Sequence, residues 1–371
     1  MRVLLHTPLK PPDHPVPSGD REMARGFRRL LRRLGHGVVV PELSRVAPGV
    51  PAPDAHLSLE RRARARAERL IARWQALPRH HPERFDLWFT YHCWYRKPDW
   101  LGPIVSRALG IPYVIAEASH APRRAWGPTR LGHRAVERAL AAADLVVTVN
   151  PRDRLGVQAR LRPGARQIVL PAFIEAAPFA VDKPRPARET PVLLAVGMMR
   201  TRDKLDSYRV LARALEHLKD RPWQAVLVGD GPARGEIEAL MKPFGSRVRF
   251  AGAVERSALP ALYAAADIYV WPAINEAFGI AFLEAQASGL PVVAGRTGGV
   301  PSVVADGVTG LLTPIGDAGA FAAAVARLLD DPRERLQFGH AAAARVATQH
   351  DDRAAAHVLG HALRRLGRSE R

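Results

Sequence analysis

Residues 271–314, WPAINEAFGIAFLEAQASGLPVVAGRTGGVPSVVADGVTGLLTP, constrain this chain more than any other stretch. A buried strand, ADIYVWP, runs into it. Asn275, Glu276 and the short run Ala277-Phe278-Gly279 then lead into a helix that carries Glu284. Eight positions separate the two glutamates, a little over two helical turns, so one stands in the loop and the other inside the helix. An ionised carboxylate accepts several hydrogen bonds at once, and two of them predict a grip on hydroxyl groups. Gly279 gives close backbone access at the helix start, where N–H groups and the helix dipole favour a phosphate. By itself, a Glu-x7-Glu helix reads as an ordinary solvated face.

The surrounding residues change that reading. The stretch resembles the donor-site signature of the GT-B glycosyltransferases of family 4. That signature is a small-residue loop, Glu, Gly-Phe-Gly, a Leu-Glu-Ala helix, then Gly-x-Pro-Val-Val-Ala and Gly-Gly. Glu276, Phe278, Gly279, Leu283, Glu284, Ala285, Gly289, Pro291, Val292, Val293, Ala294, Gly298 and Gly299 match it. Ala277 stands where the family has a first Gly, and Ser302 where a Glu is common. The likeness is strong over 191–314 and traceable in the N-terminal half. It implies an α/β chain of GT-B architecture, with two Rossmann-like domains facing a central cleft. It also implies a retaining transferase that moves a sugar from a UDP-sugar or GDP-sugar donor to a glycan or lipid-linked acceptor.

A chain of 371 residues is too long for one ordinary core, and two domains are the natural count. VDKPRPARET (181–190) is polar, proline-rich and free of apolar period, which predicts an interdomain linker. The expected division is an acceptor domain over 1–180, a nucleotide-sugar domain over 191–350, and a terminal segment, 351–371. That segment is Arg- and Ala-rich, and the resemblance implies a helix crossing back onto the N-terminal domain. No run of about 18 apolar residues exists, so no membrane span is expected. MRVLLHTPLKPP lacks a signal-peptide apolar region and reads as a first strand. The single cysteine, Cys93, fits a reducing cytoplasm.

The net charge of +19 is uneven. Residues 1–180 hold 30 Lys and Arg against 15 Asp and Glu, and the remainder holds 25 against 21. An anionic membrane surface, an acidic acceptor or a nucleic acid would each account for a basic N-terminal half. A compositional habit is a fourth account, since only 6 of the 55 basic residues are Lys. Nucleic acid is not expected, because no binding motif or interleaved aromatic platform is present. The helix DREMARGFRRLLRRLG places Met23, Phe27, Leu30, Leu31 and Leu34 on one face and crowds Arg28, Arg29, Arg32 and Arg33 onto the rest. It reads first as an ordinary Rossmann helix with a solvated Arg face, and it also fits a basic helix lying on an anionic surface.

In the N-terminal half a strand over 2–6, a proline-rich loop over 7–20 and this helix open a Rossmann-like unit. The glycine spacing is wrong for Gly-x-Gly-x-x-Gly, so no nicotinamide cofactor is implied. The resemblance implies that Gly19 approaches donor phosphate or acceptor, while Ser18 and Asp20 can equally cap the helix. Residues 41–56 read as loop, and a second Arg-rich helix is expected over 57–77 with Ser58 as its cap. DLWFTY (86–91) is a strand. His92, Tyr95 and Lys97 stand beyond its carboxyl end, where open α/β sheets bind ligands, and are acceptor-site candidates. His120 follows the strand PYVIAE, and the resemblance places it near the donor sugar.

In the C-terminal half the strand PVLLAVG runs into GMMRTRDK. Arg and Lys there can neutralise a pyrophosphate leaving group. The resembling family has Arg directly after the Gly and Lys six positions beyond the Gly. Here Met198 follows Gly197 and Lys204 is seven beyond it. Arg200 is the chosen guanidinium with Lys204 as its partner, and Arg202 is able to replace either. The likeness further implies Gly229 and Asp230 beneath the nucleotide, Val254 at the base, Glu276 on sugar hydroxyls and Glu284 on the ribose. Gly279 and Ile280 would give N–H groups to phosphate. No His, Asp, Glu or Cys cluster has metal-ligand spacing and no Asp-x-Asp ends a strand, so a metal-independent reaction without a further cofactor is expected. The rival readings are a GT-B nucleotide-sugar epimerase and a non-catalytic binder of nucleotide sugar or nucleic acid.

Overall fold

The structure, a computed structural model, describes residues 1–41, 53–78, 81–181, 188–277 and 279–366. Most of the expected linker (182–187) and Phe278 lie outside the described residues. Two compact units emerge: Met1–Pro171 with Ala355–Arg371, and Ala172–Ala354.

The first unit contains β1 (Arg2–His6), α1 (Gly19–Arg33), β2 (Gly37–Val39), α2 (Pro53–Gln75), β3 (Leu87–Cys93), α3 (Gly102–Leu109), β4 (Tyr113–Ala118), α4 (Arg130–Ala142), β5 (Leu145–Thr148), α5 (Arg154–Gln158) and β6 (Arg166–Val169). Its strands are all parallel, in the order β2-β1-β3-β4-β5-β6. Runs such as Val3-Leu4-Leu5 and Val114-Ile115-Ala116 are buried throughout, as expected of strands covered on both faces. The order reverses between β1 and β3, which opens a crevice at their carboxyl ends. Ser18 caps α1, its hydroxyl accepting from the Arg21 N–H at 3.2 Å. The buried face of α1 carries Met23, Phe27, Leu30 and Leu31, with the Phe27 ring 5.5 Å from Phe89 and 5.2 Å from Tyr91.

α2 starts at Pro53, inside the stretch read as loop, so Ser58 lies within the helix and does not cap it. Proline is tolerated there because a first-turn N–H has no intrahelical partner to lose. At the foot of α3, the Asp99 carboxylate accepts from Trp88 Nε1 (3.1 Å), Tyr113 Oη (2.9 Å) and the N–H groups of Leu101 (2.9 Å) and Gly102 (2.8 Å).

The second unit contains β7 (Val192–Val196), α6 (Asp203–His217), β8 (Gln224–Val228), α7 (Arg234–Met241), β9 (Val248–Gly252), α8 (Leu259–Ala264), β10 (Ile268–Trp271), α9 (Ile280–Ala287), β11 (Val292–Gly295), α10 (Val300–Val303), β12 (Gly310–Thr313), α11 (Ala318–Asp330) and α12 (Pro332–Arg345). Its parallel order is β12-β11-β10-β7-β8-β9, the dinucleotide-type winding 3-2-1-4-5-6 read from the other edge. Here the reversal falls between β7 and β10. After α12 the chain makes a π-helical turn, Val346–His350. Residues 172–176 are bonded along it: Ile174 N–H donates to the His350 carbonyl at 2.8 Å, and Asp352 N–H to the Ile174 carbonyl at 2.9 Å. These bonds put the unit boundary after Pro171, earlier than the expected 180.

The last helix, α13 (Asp352–Leu366), buries Ala355, Leu359, Ala362 and Leu363. A Cβ on Gly360 would stand 2.7 Å from Leu34 Cδ2, so α13 and the end of α1 touch through a glycine. Among the described residues no helix is long and apolar enough to cross a membrane.

Candidate active site

In the second unit the loops after β7 and β10 meet at the reversal of strand order. Lys204, in the first turn of α6, donates to Glu276 Oε2 at 2.5 Å. The two side chains keep 25% and 20% of their exposure, so the pair is shielded but reachable. Lys204 Nζ also lies 5.2 Å from the centre of the Trp271 ring. Asn275 Nδ2 donates to Asp203 Oδ2 at 2.7 Å, and Ile274 N–H to Ser207 Oγ at 3.0 Å, tying the β10 loop to α6.

Glycines make this approach possible. Gly298 has φ +50°, and a Cβ there would stand 1.8 Å from the Glu276 carbonyl oxygen. Gly229, at φ +139°, lies against Gly197: a Cβ would stand 1.9 Å from the Gly197 carbonyl oxygen. Met199 N–H donates to the Asp230 carbonyl at 2.9 Å, so the loop after β7 is pinned to the turn after β8. The Asp230 carboxylate receives the Gly231 N–H at 2.7 Å and pairs with Arg234 at 3.2 Å. Gly279 is the N-cap of α9, at φ 72°, with no side-chain cap bond. The Ile280 and Ala281 N–H groups open α9 at this end, a position suited to an anion, while the Phe282 N–H already donates to the Gly279 carbonyl at 2.9 Å. Arg200 and Arg202 are exposed in the loop between Gly197 and Lys204, Arg202 at φ 63°.

The two glutamates of the opening motif do not share partners. Glu284 is buried, pairs with Arg256 at 2.8 Å and accepts from Tyr263 Oη at 3.0 Å. Burial, and next the Glu284 charge, push the Tyr263 phenol well above its ordinary range, so it stays a donor. Arg256 follows the end of β9 by four residues, the side on which Val254 lies half-buried.

In the first unit, Gly19 is the first residue of α1, with open space where a Cβ would stand. Its neighbour Asp20 pairs with His92 Nδ1 at 3.2 Å across the β1/β3 reversal. Burial alone would push His92 down, but the Asp20 hydrogen bond and charge, helped by Glu117 and Asp153, carry it above its ordinary value. Asp153 accepts from Ser119 Oγ at 2.9 Å. Tyr95 and Lys97 are buried beside this end of the sheet. Five non-glycine residues have positive φ among those described: His92, Glu117, Arg202, Ala273 and Asn275. His92 and Glu117 lie at the ends of β3 and β4, Ala273 and Asn275 just past β10, and Arg202 directly before α6, each in a backbone region that costs a non-glycine residue about 1–3 kcal/mol.

Glu117 is the residue that sequence reasoning missed most plainly, because it reads as the interior of a strand. Burial pushes its carboxyl up to about 8, against the pull of the His92 charge. The unfolded chain releases this proton near pH 4.3 and the folded chain holds it to about 8. Stability contributed here is therefore lost as pH rises through that window, by up to ~1.4 kcal/mol per unit. Glu117→Gln is expected to melt progressively higher than the parent protein between pH 5 and pH 8. A melting difference that stays flat across that range rules out this protonation state.

His120 stands two residues past the end of β4. Its side chain is 3% exposed, with Nε2 3.3 Å from Glu137 Oε1 and 3.2 Å from Arg160 Nε. His133 completes the group, 3.5 Å from the same Glu137 oxygen. These contacts all lie inside the first unit.

Residues 190–331 match the family described as glycosyl transferases group 1. The GDP-mannose-dependent alpha-(1-6)-phosphatidylinositol monomannoside mannosyltransferase of Mycolicibacterium smegmatis is 32% identical over 258 residues, 64% of this chain and 66% of that protein. The 2-deoxystreptamine glucosyltransferase of Streptomyces kanamyceticus is 32% identical over 295 residues, 70% of this chain and 74% of that one. Its alpha-D-kanosaminyltransferase is 30% identical over 288 residues, 71% and 73%. Among solved structures, sucrose-phosphate synthase from Thermosynechococcus elongatus aligns with TM-score 0.74 at 22% identity over 100% of both chains. HepE from Anabaena, in complex with UDP and glucose, aligns with TM-score 0.67 at 17% identity over 97% of this chain and 98% of that one.

Proposed function

This chain belongs to the glycosyl transferases of group 1, and from that membership we propose that it moves a sugar, with retention, from a nucleoside-diphosphate sugar held on the second unit to a hydroxyl of a glycan or lipid-linked acceptor. The fold is GT-B. The observation that carries the donor site is the Lys204–Glu276 pair at the β7/β10 reversal, beside the uncapped start of α9. A diphosphate arriving there meets the Lys204 ammonium and the first N–H groups of α9. It competes for Lys204 and leaves the Glu276 carboxylate free to accept from sugar hydroxyls. Charge then develops on the leaving diphosphate opposite fixed cations, with Arg200 and Arg202 adding theirs, as an oxocarbenium-like sugar passes to the acceptor. Glu284, already aligned by Tyr263 and Arg256, is the ribose acceptor of hydrogen bonds. We place no chemistry on His120 in this reading. The Asp20–His92 pair and Glu117 provide acceptors and a donor for a polyhydroxylated acceptor on the first unit.

A thermal-shift screen of nucleoside diphosphates and their sugars tests the donor site. At a hundred times its dissociation constant the cognate donor should stabilise the protein by about 2.7 kcal/mol. The shift and the turnover should both persist in EDTA, because these side chains supply the cations. No shift from any member of the panel, or turnover lost to EDTA and restored by Mg²⁺ or Mn²⁺, sinks the donor site as drawn.

We also propose that the basic first unit rests against anionic headgroups. In α1, Arg28 is half-buried and paired with Asp13 at 3.2 Å and Arg29 is half-buried, whereas Arg32 and Arg33 are exposed. α2 exposes Arg61, Arg62, Arg64, Arg69 and Arg73. Each such residue is worth roughly 1 kcal/mol near an anionic surface, screened by salt. Co-sedimentation with anionic vesicles at low salt, lost at high salt and absent with neutral lipid, is the expected result. Equal binding to both lipids, or to neither, leaves composition as the account of the arginines.

A further inference from the structure

We propose that His120, His133 and Glu137 form a binding site for a divalent transition-metal ion of the zinc class within the first unit. Their three ligand atoms lie within 4.8 Å of one another. Zinc bonds of about 2.0–2.1 Å to imidazole and carboxylate set neighbouring ligands of a tetrahedron roughly 3.3–3.4 Å apart. The edges from Glu137 Oε1 are 3.3 Å to His120 Nε2 and 3.5 Å to His133 Nε2. Two imidazoles and one carboxylate are a recurrent zinc ligand set, and they leave a fourth position for water.

The scaffold fits this role. His133 and Glu137 stand one turn apart on the same face of α4, and His120 reaches them from just beyond β4. Both imidazoles are 3% exposed and fixed by packing, while Glu137 is 32% exposed and gives the ion a way in.

Arg160 now occupies the position of the cation. Its Nε–H points at His120 Nε2 from 3.2 Å and lies 3.5 Å from Glu137 Oε1. In the tautomer that accepts this bond, Nε2 carries the lone pair that would ligate a metal, whereas donating to Glu137 Oε1 at 3.3 Å takes the opposite tautomer. The Arg160 side chain is 47% exposed, so it can yield to water when an ion enters. A metal and Arg160 are therefore competitors for one site, and that competition gives the proposal its sharpest consequence.

The test is calorimetric titration of the EDTA-stripped full-length protein with ZnCl₂, repeated with Co²⁺ to read its visible absorption. One tight equivalent is expected in the parent protein. His133→Ala and Glu137→Gln should each abolish it, with circular dichroism confirming that the fold persists. Arg160→Ala should bind at least several-fold more tightly. The exposed pair His357 and His361, one turn apart on α13, is the rival zinc ligand, so the double change His357→Ala with His361→Ala should leave the tight equivalent intact. Zinc binding that survives Glu137→Gln, that vanishes with the α13 histidines, or that weakens in Arg160→Ala overturns the site, as does its absence from both the parent protein and Arg160→Ala. Because the readout is binding and not turnover, the result is independent of the transferase reading.

Discussion

Lys204→Ala is expected to lower kcat/KM for the sugar donor by about 10²–10³-fold, the loss seen when one fixed donor to a developing oxyanion is removed. The side chain reaches its partner from the first turn of α6, so no core is opened by the change. Circular dichroism and melting temperature should stay close to the parent's, while affinity for the nucleoside diphosphate falls. Arg200→Ala should act in the same direction, and Arg202→Ala less, since each contributes charge from an exposed loop. A Lys204→Ala enzyme within threefold of the parent removes this residue from the reaction. A larger loss from Arg202→Ala than from Arg200→Ala reassigns the guanidinium.

Gly298→Ala should be the most damaging single methyl group in the second unit. Two costs coincide: a backbone at φ +50°, where a side chain is strained, and a Cβ 1.8 Å from the Glu276 carbonyl oxygen. The obstacle is main chain, so relief requires the Glu276 loop to move. The strain alone costs about 1–3 kcal/mol. A displaced Glu276 also loses its register with Lys204 and the sugar, and a shift of 1 Å at a positioned group is worth about 10²-fold in rate. The expected outcome is a protein that melts several degrees lower and, well below that temperature, still turns over about a hundredfold more slowly. Normal turnover in a destabilised but folded Gly298→Ala would separate the loop position from catalysis.

Much of this architecture could be read from buried apolar runs and the loops that follow them. Val3-Leu4-Leu5, Trp88-Phe89-Thr90-Tyr91 and Ile268-Tyr269-Val270-Trp271 each became a strand at the expected place. Ligand candidates were sought at their carboxyl ends, and Lys204 and Glu276 meet there although 72 residues apart. Resemblance had named each of the two, but no local rule connects a basic loop to a distant glutamate, so their pairing is a finding of the structure. What remained hidden had a common cause. Glu117 lies within an apolar strand whose pattern gives no sign of its positive φ or of the His92 and Asp153 charges that act on it. His120 joins His133 and Glu137 only because the β4 exit packs on α4, and the four-residue spacing of the latter two is common on any helix. No local pattern announces Arg256 and Tyr263, from the β9–α8 passage, as the partners of Glu284.

The first unit is assembled from the two ends of the described chain: its sheet is complete by Val169, but α13 follows the whole second unit. A ribosome delivers the sheet long before the helix that buries Ala355, Leu359, Ala362 and Leu363. Throughout that interval the surface α13 will cover, Leu34 included, stays wet and apolar. The nascent chain therefore carries a waiting surface for as long as the second unit takes to synthesise. The first unit is therefore completed only when the helix made last covers that apolar surface.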